Sequence, residues 1–278
     1  MNDALELAYS PCPNDTYIFA AWTNGMLPGA PRVRVALDDV EALNAAALQG
    51  RYPLTKISYG AIPLLVDRYR VLRAGGALGR GCGPLVVARP GAAPLAEAPA
   101  DARFAIPGAM TTAYLLLRLA IGREPAAAPM RFDTIVESVA GGAADYGLII
   151  HESRFTYAAA GLICVEDLGA WWEAQTGRPI PLGAILVRRD MPVDGARAID
   201  AVIRESLAFA RAREGDVMPY VREHAFEMDD AVMRAHIGLY VNVFSDDLGD
   251  QGVAAVDELF RRAERAGLVS AGTRAEFV

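Results

Sequence analysis

The chain has 278 residues, 53% of them hydrophobic, and a formal net charge of −7 at pH 7. This length allows one large domain or two smaller ones with real cores, and the hydrophobic content excludes a disordered chain. The acidic balance argues against nucleic acid or an anionic membrane surface as a partner. We therefore expect a small molecule as the partner; the acidic balance does not exclude an anionic one, because a few local cations and helix N-termini can hold it.

The cysteines and the apolar stretches further limit the class of protein to which this chain can belong. Cys12, Cys82 and Cys164 are far apart in sequence and lack the spacing of a metal site. The apolar stretches are shorter than the ~20 residues that span a bilayer, and residues 1–6 lack the features of an export signal. We expect a reduced, cytoplasmic protein with no membrane insertion, no metal and no other cofactor. The sequence does not indicate the oligomeric state.

Strand and helix patterns alternate in the first part of the chain. In chain order they predict strand 5–9, helix 15–23, strand 33–37, helix 40–48, strand 54–57 and helix 58–66. Alternation of this kind predicts a parallel sheet covered by helices on both faces.

A glycine cluster at 75–83 interrupts this pattern and fits no phosphate loop or dinucleotide fingerprint, so a turn or hinge is the plainer interpretation. Two similar apolar phrases, 84–89 and 181–188, then bracket a middle segment. The strand and helix units predicted in this segment are 103–106, 111–121, 131–139 and 146–150. A tail of predicted helices follows at 199–213, 218–224, 229–241 and 253–266.

This order predicts an α/β protein of two lobes with a cleft between them. The larger, discontinuous lobe would hold residues 1–88 and 187–278, and the inserted smaller lobe residues 89–186. The two apolar phrases would be paired crossover strands that join the lobes.

His151 is the strongest candidate for a catalytic group. It directly follows the apolar strand 146–150, and the carboxyl ends of strands in open α/β sheets form the crevice where ligands bind. Histidine can exchange a proton near neutral pH. The alternative is a structural histidine that is hydrogen-bonded to Glu152 or to a neighbouring turn.

Lys56, the only lysine of the chain, ends the strand 54–57. A lone lysine is usually a solvated surface charge, but this position predicts that Lys56 pairs with a carboxylate while Ser58 and helix amides donate hydrogen bonds. The nearby turn with Ser10 lies at the same sheet edge. Asn14 or Asp15 is expected to cap the helix that follows this turn.

A third turn, 107–112, precedes the helix of the middle segment. Thr111 or Thr112 is either a plain N-cap or part of an anion site facing Lys56, and the residues alone favour neither. His224 and His236 fall in the helical tail and are interpreted as surface or satisfied histidines. The pair at 171–172 is interpreted as core tryptophans more readily than as a pocket wall.

Several phrases, in this order, resemble one family. They are SPCPNDT at 10–16, LTKISY at 54–59, GGALGRG at 75–81, GLIIHESRFTY at 147–157 and DLGAWW at 167–172. Together they resemble the 1,4-dihydroxy-6-naphthoate synthases of the futalosine route to menaquinone, and the resemblance spans nearly the whole chain.

The resemblance implies a two-lobed fold like that of type II periplasmic solute-binding proteins. It implies a carbon–carbon lyase using general acid/base catalysis, which converts cyclic de-hypoxanthine futalosine to 1,4-dihydroxy-6-naphthoate and releases dihydroxyacetone. His151 would be the proton acceptor. The implied substrate contacts are Lys56, Ile57, Ser58, Thr111 and Thr112. The alternatives are a chorismate dehydratase of the same route and a non-catalytic solute-binding protein.

Overall fold

A computed structural model describes residues 4–226 and 229–278, so residues 1–3 of the expected larger lobe lie outside the described part. The described residues form two β-sheets surrounded by helices. The strands are β1 (Leu5–Tyr9), β2 (Val33–Leu37), β3 (Leu54–Ser58), β4 (Tyr69–Val71), β5 (Ala77–Gly79), β6 (Leu85–Ala88), β7 (Arg103–Ile106), β8 (Ala126–Pro129), β9 (Tyr146–Ile149), β10 (Ile163–Asp167) and β11 (Ile180–Arg188).

The helices cover the sheets and fill the C-terminal part of the chain. They are α1 (Pro13–Thr23), α2 (Val40–Leu48), α3 (Thr112–Ile121), α4 (Ile135–Ala140), α5 (Ser153–Thr156), α6 (Leu168–Thr176), α7 (Val193–Ala212), α8 (Glu214–His224), α9 (Asp230–Tyr240), α10 (Val243–Asp246) and α11 (Gly249–Arg265). Where a helix over 58–66 was predicted, a short 3-10 helix spans Tyr59–Leu64. It contains Pro63, which has no amide hydrogen to extend an α-helix.

Both sheets are mixed. The larger has the strand order β2-β1-β3-β11-β4, with β5 also paired to β11, and the smaller has the order β10-β6-β9-β7-β8. Strand β1 is parallel to β2 and β3, whereas β11 is antiparallel to β3, β4 and β5. The prediction of a parallel sheet is confirmed for the strands on which it was based, β1, β2 and β3, whereas the larger sheet as a whole is mixed because β11 returns from the smaller lobe in the opposite direction.

The chain passes between the lobes at 80–84 and again at 177–179. The two expected crossover strands are β6 and β11, but they do not pair with each other: β6 lies between β9 and β10, and β11 lies in the larger sheet. By strand pairing, residues 85–88 belong to the smaller lobe and residues 180–186 to the larger. The expected boundaries therefore differ from this by the whole of β6 at one end and by most of β11 at the other.

Helix α1 fixes the position of the turn that precedes it. It is buried from Pro13 to Trp22 and packs against α7, α8 and α9. Because apolar side chains surround it almost completely, burial of this helix stabilises the larger lobe and anchors the residues 10–12 at the lobe boundary. Within residues 4–226 and 229–278, no helix has the length and hydropathy that crossing a membrane requires.

Gly83 and Gly169 let the first crossover pass close to the start of α6. A Cβ on Gly169 would lie 2.7 Å from the Gly83 nitrogen, and a Cβ on Gly83 would overlap the Gly169 backbone. We expect Gly83→Ala to lower the free energy of unfolding by about 1–3 kcal/mol, the usual effect of overpacking. Urea denaturation measures this change.

Gly215 supplies the matched control, because it lies in α8 and a Cβ there would meet no atom within 4 Å. Gly215→Ala is expected to leave the stability unchanged or slightly raised. Equal urea denaturation midpoints for Gly83→Ala and Gly215→Ala would contradict the close backbone approach at Gly83.

Candidate functional site

A cavity of about 90 Å³ lies between the two lobes. The residues that the sequence singled out as site candidates are all in its wall: His151, Lys56, Ile57, Ser58, Thr111 and Thr112. Ser10 from the β1–α1 turn and Asn14 and Asp15 from the first turn of α1 also line it. Strand ends of both sheets therefore contribute polar groups to one enclosed space.

His151 lies in the turn that follows β9 and has a φ of 56°, the one positive φ among the described residues other than glycine. This backbone region is uncommon for residues with a Cβ, and such strain clusters at functional sites. The ring of Phe132 packs edge-to-face against the imidazole, with centroids 4.9 Å apart. The turn and this contact together hold the His151 side chain at the cavity.

Three effects act on the pKa of His151. Burial is the largest and lowers it, the Asp15 carboxylate raises it, and the Lys56 ammonium lowers it. Together they bring the pKa from 6.5 to about 4. His151 is therefore neutral at pH 7, and neutral imidazole is the form that accepts a proton.

Lys56 is almost fully buried and forms an ion pair with Asp15, with 2.5 Å between Nζ and Oδ1. The ammonium also donates to the Gly75 carbonyl at 3.3 Å. Asp15 further accepts hydrogen bonds from Ser10 and Asn14. The expectation that Asn14 or Asp15 caps α1 was wrong: the helix begins at Pro13 with Cys12 at the N-cap position, and no side chain of the described residues caps it. The Asp15 carboxylate pairs with Lys56 instead.

Asn44 of α2 positions the end of β3. Its Oδ1 accepts from the Ser58 backbone N–H at 2.9 Å, and its Nδ2 donates to the Ser58 hydroxyl at 3.2 Å. Asn44 is completely buried, so this pair of bonds fixes Ser58 at the cavity wall. Ile57, also completely buried, is held by the pairing of β3 with β11.

The two threonines have different local roles. The Thr111 hydroxyl caps α3 by accepting from the Tyr114 N–H at 3.2 Å. The Thr112 hydroxyl bridges the lobes: it donates to the Leu182 carbonyl at 2.7 Å and accepts from the Gly60 N–H at 2.9 Å. The sequence left a helix cap and an anion site facing Lys56 as alternatives. The structure shows Thr111 as the cap, and the anion site stays a prediction.

Glu41 forms a second bridge between the lobes. Its carboxylate accepts from the Met110 N–H at 3.0 Å and also from the Asn44 side chain at 3.1 Å. It packs against Gly108, where a Cβ would overlap the carboxyl group. The backbone before α3, for which an anion site was one of two alternatives, thus contacts a carboxylate of the protein itself.

His236 is a cavity residue that the sequence interpretation missed. It was expected to be a surface or satisfied histidine, but it is 0% exposed and lines the cavity. Its ring centroid is 6.2 Å from that of His151. The missed signal is spacing: Met233, His236 and Tyr240 are the buried residues of α9 and lie on one helical face. His224, by contrast, lies outside the cavity wall.

Arg154 and Trp172, two conspicuous residues of the sequence motifs, do not line the cavity but make contacts in the structure around it. Arg154 donates from Nη2 to the Asp167 carboxylate at 2.7 Å and from Nη1 to the Gly83 carbonyl, so it ties the His151 turn to the first crossover. Trp172 is completely buried and donates to the Pro179 carbonyl at 3.0 Å, in agreement with a core position.

Cys12, His151 and Glu152 are a group of side chains in the described part of the chain that could offer ligand atoms to a metal, all within 4.8 Å of one another. Burial raises the pKa of Cys12 well above its usual value, and the Glu152 and Asp15 carboxylates add to the shift. The thiol is therefore protonated at pH 7 when no metal is bound, and a metal ion would have to displace its proton. The expectation of a metal-free protein stays a prediction.

Comparison with solved structures shows the fold. An Archaeoglobus fulgidus protein, AF1704, superposes with a TM-score of 0.90 at 35% identity and covers 96% of this chain and 99% of its own. The alkanesulfonate-binding protein SsuA of Xanthomonas axonopodis superposes with a TM-score of 0.71 at 13% identity, over 96% and 94% of the two chains. The expected fold, with two lobes like those of periplasmic binding proteins, is thereby confirmed.

Comparison of sequences shows the family. A family model described as menaquinone biosynthesis matches residues 5–265. A Thermus thermophilus protein named 1,4-dihydroxy-6-naphtoate synthase is 51% identical over 99% of this chain and 100% of its own length. A Streptomyces coelicolor protein of the same name is 45% identical over 97% and 96%. The chain therefore belongs to the menaquinone biosynthesis family that includes these 1,4-dihydroxy-6-naphthoate synthases.

Proposed function

We propose that this protein is an enzyme, a 1,4-dihydroxy-6-naphthoate synthase, which acts on cyclic de-hypoxanthine futalosine in menaquinone biosynthesis. One observation carries the proposal: all six residues that the family resemblance implies lie in the wall of one cavity between the lobes. The two relatives that bear this name match along almost their whole length. A cytoplasmic location stays a prediction.

The substrate carboxylate is the group that Lys56 would bind. Among the described residues that line the cavity, Lys56 carries the one permanent positive charge, and Asp15 already neutralises it in part. Hydrogen bonds from Ser58, Thr111 and Thr112 would therefore have to supply much of the attraction for the anion.

His151 is proposed as the base of a carbon–carbon lyase reaction. It would take a proton from the substrate so that a C–C bond breaks in a retro-aldol sense, releasing dihydroxyacetone as the ring becomes aromatic. General base catalysis typically contributes ~10²–10⁴-fold to the rate, so exclusion of water and fixed orientation in the cavity must supply more. The low pKa of His151 keeps it in the neutral form that this step needs.

The first test replaces His151. We expect His151→Ala to lower kcat with cyclic de-hypoxanthine futalosine by about 10²–10⁴-fold, because the proton acceptor is lost. Product is measured by mass spectrometry, and binding of 1,4-dihydroxy-6-naphthoate is expected to change only a few-fold. His224→Ala, outside the cavity, is the matched control.

The same assay separates the alternatives. Unmutated protein that dehydrates chorismate instead would make this chain a chorismate dehydratase. Ligand returned unchanged would indicate a binding protein. Either result, or wild-type turnover by His151→Ala, would contradict the proposal for this residue.

The second prediction concerns pH. Because His151 must be neutral and its pKa is about 4, kcat/KM should stay nearly constant from pH 8 down to about pH 5 and fall only as the pH approaches 4. A histidine with the ordinary pKa of about 6.5 would already have lost most of the activity at pH 5.5. The circular dichroism spectrum at each pH verifies that the protein is folded. An acid limb centred near 6.5 would contradict the assignment.

The third prediction separates the two roles of Lys56. Lys56→Met leaves the buried Asp15 carboxylate without its cation, and we expect a loss of about 3–5 kcal/mol in the free energy of unfolding. The double variant Asp15→Asn, Lys56→Met should recover most of this stability, since neither charge remains. Its KM should nevertheless stay about 10-fold or more above that of the unmutated protein, because the cation for the substrate carboxylate is absent.

Urea denaturation and steady-state kinetics measure the two effects independently. A double variant with an unchanged KM would show that Lys56 serves the fold alone. Unchanged stability of the single variant Lys56→Met would mean that the ion pair makes no net contribution to the free energy of unfolding.

A further inference from the structure

His236 is a buried polar side chain without a partner inside the protein. It is 0% exposed, and neither Nδ1 nor Nε2 has a hydrogen-bond partner among the described residues. Leaving such a group unsatisfied costs about 1–3 kcal/mol. A buried and unpaired polar group in a folded protein therefore calls for a functional explanation.

The position of His236 supplies that explanation. It lies on α9, which packs against α1 and β5 of the larger lobe, and it lines the same cavity as His151 of the smaller lobe. The two imidazole rings are 6.2 Å apart between centroids and nearly perpendicular, at 81°. A substrate in the cavity would therefore lie against one histidine from each lobe.

Aromatic side chains flank the His236 ring. Tyr240, one turn further along α9, packs edge-to-face with a centroid distance of 4.6 Å, and Phe155 lies 6.4 Å away. These contacts offer packing and no hydrogen bond to the ring. The cavity is thus the place where a partner for the imidazole nitrogens can come from.

Burial is the main reason why His236 is neutral. Burial lowers its pKa well below the usual value, and His151 and Lys56 lower it further. A neutral imidazole presents one N–H donor and one acceptor. It can therefore donate a hydrogen bond to an oxygen without itself carrying a charge.

We propose that His236 is a second catalytic histidine, which donates its N–H to the substrate oxygen where negative charge develops as the C–C bond breaks. This inference rests on the proposed function. His151 takes the proton of a substrate hydroxyl, and that C–O becomes a carbonyl. The electron pair of the broken C–C bond moves into the neighbouring carbonyl and forms an enolate, whose oxygen His236 holds. The proton on His151 then returns to the enolate, so no oxidant or reductant is consumed.

The test compares two replacements of opposite character. His236→Phe keeps an aromatic ring for packing and removes the donor, whereas His236→Gln keeps a neutral donor and removes the ring. We expect His236→Phe to lower kcat by about 10²–10³-fold, the usual effect of losing one donor to a developing oxyanion, with KM changed only a few-fold. His236→Gln should retain distinctly more activity than His236→Phe.

A role in packing alone gives the opposite order, with His236→Phe active and His236→Gln impaired. That order, or turnover by both variants within a few-fold of the unmutated protein, overturns the proposal. His224→Phe is the matched control, because His224 lies outside the cavity wall. If the unmutated protein gives no turnover, the proposed function itself fails, and the two failures are thus distinguished.

A second measurement does not depend on the folding of a variant. In protein with ¹⁵N-labelled histidine, addition of 1,4-dihydroxy-6-naphthoate should shift the ring nitrogen resonances of His236 as it gains a hydrogen-bond partner. The resonances of His224 should stay in place. Unshifted His236 signals at saturating product would overturn the proposed contact.

Discussion

The buried ion pair between Lys56 and Asp15 is the interaction on which the site depends. It joins the end of β3 to the β1–α1 turn, and the ammonium reaches the Gly75 carbonyl as well. A charge buried in this way is tolerated only when it is paired and hydrogen-bonded. The ion pair and this hydrogen bond therefore fix three separate segments of the larger lobe relative to one another at the cavity wall. The same two charges act on His151 in opposite directions, with Lys56 lowering its pKa and Asp15 raising it.

Around this pair, the polar groups of the cavity wall largely satisfy one another. Asn44 holds Ser58, Thr112 joins Gly60 to Leu182, and Glu41 occupies the Met110 N–H. A ligand that binds these groups must offer bonds of equal quality, because each exchanged bond contributes only the difference between the two partners. This requirement favours a ligand with a carboxylate and hydroxyls over an apolar one. Since Thr112 and Glu41 each connect the lobes, such an exchange also couples ligand binding to the contact between them.

The sequence was sufficient to predict the site residues that lie close to the ends of strands. His151, Lys56 and Ser58 could be proposed because each lies at or near the carboxyl end of an apolar strand, and the edge of a sheet brings such residues together. The role of Asp15 could not be foreseen, since a helix cap and a buried ion pair place a carboxylate at the same position in sequence. The pairing of β11 with β3 is a contact between residues more than 120 positions apart, and no local pattern encodes it. His236 was predictable in principle from the buried face of α9, yet a histidine on that face is compatible with packing as well as with chemistry.

The two-lobed fold by itself decides neither binding nor catalysis, because proteins with 13% identity share it with a solute-binding function. For this chain, the two relatives named as synthases indicate an enzyme, and the state of its cavity residues fits that role. A binding site gains affinity when its polar groups match the bound ligand in its ground state, whereas an enzyme gains rate from groups that fit the transition state. His151 is held in a rare backbone conformation and kept neutral by burial, and His236 is buried with no hydrogen-bond partner among the described residues. Both features cost stability in the folded protein, and the proposed reaction makes use of both: the neutral His151 takes a proton, and His236 gains a hydrogen-bond partner in the substrate.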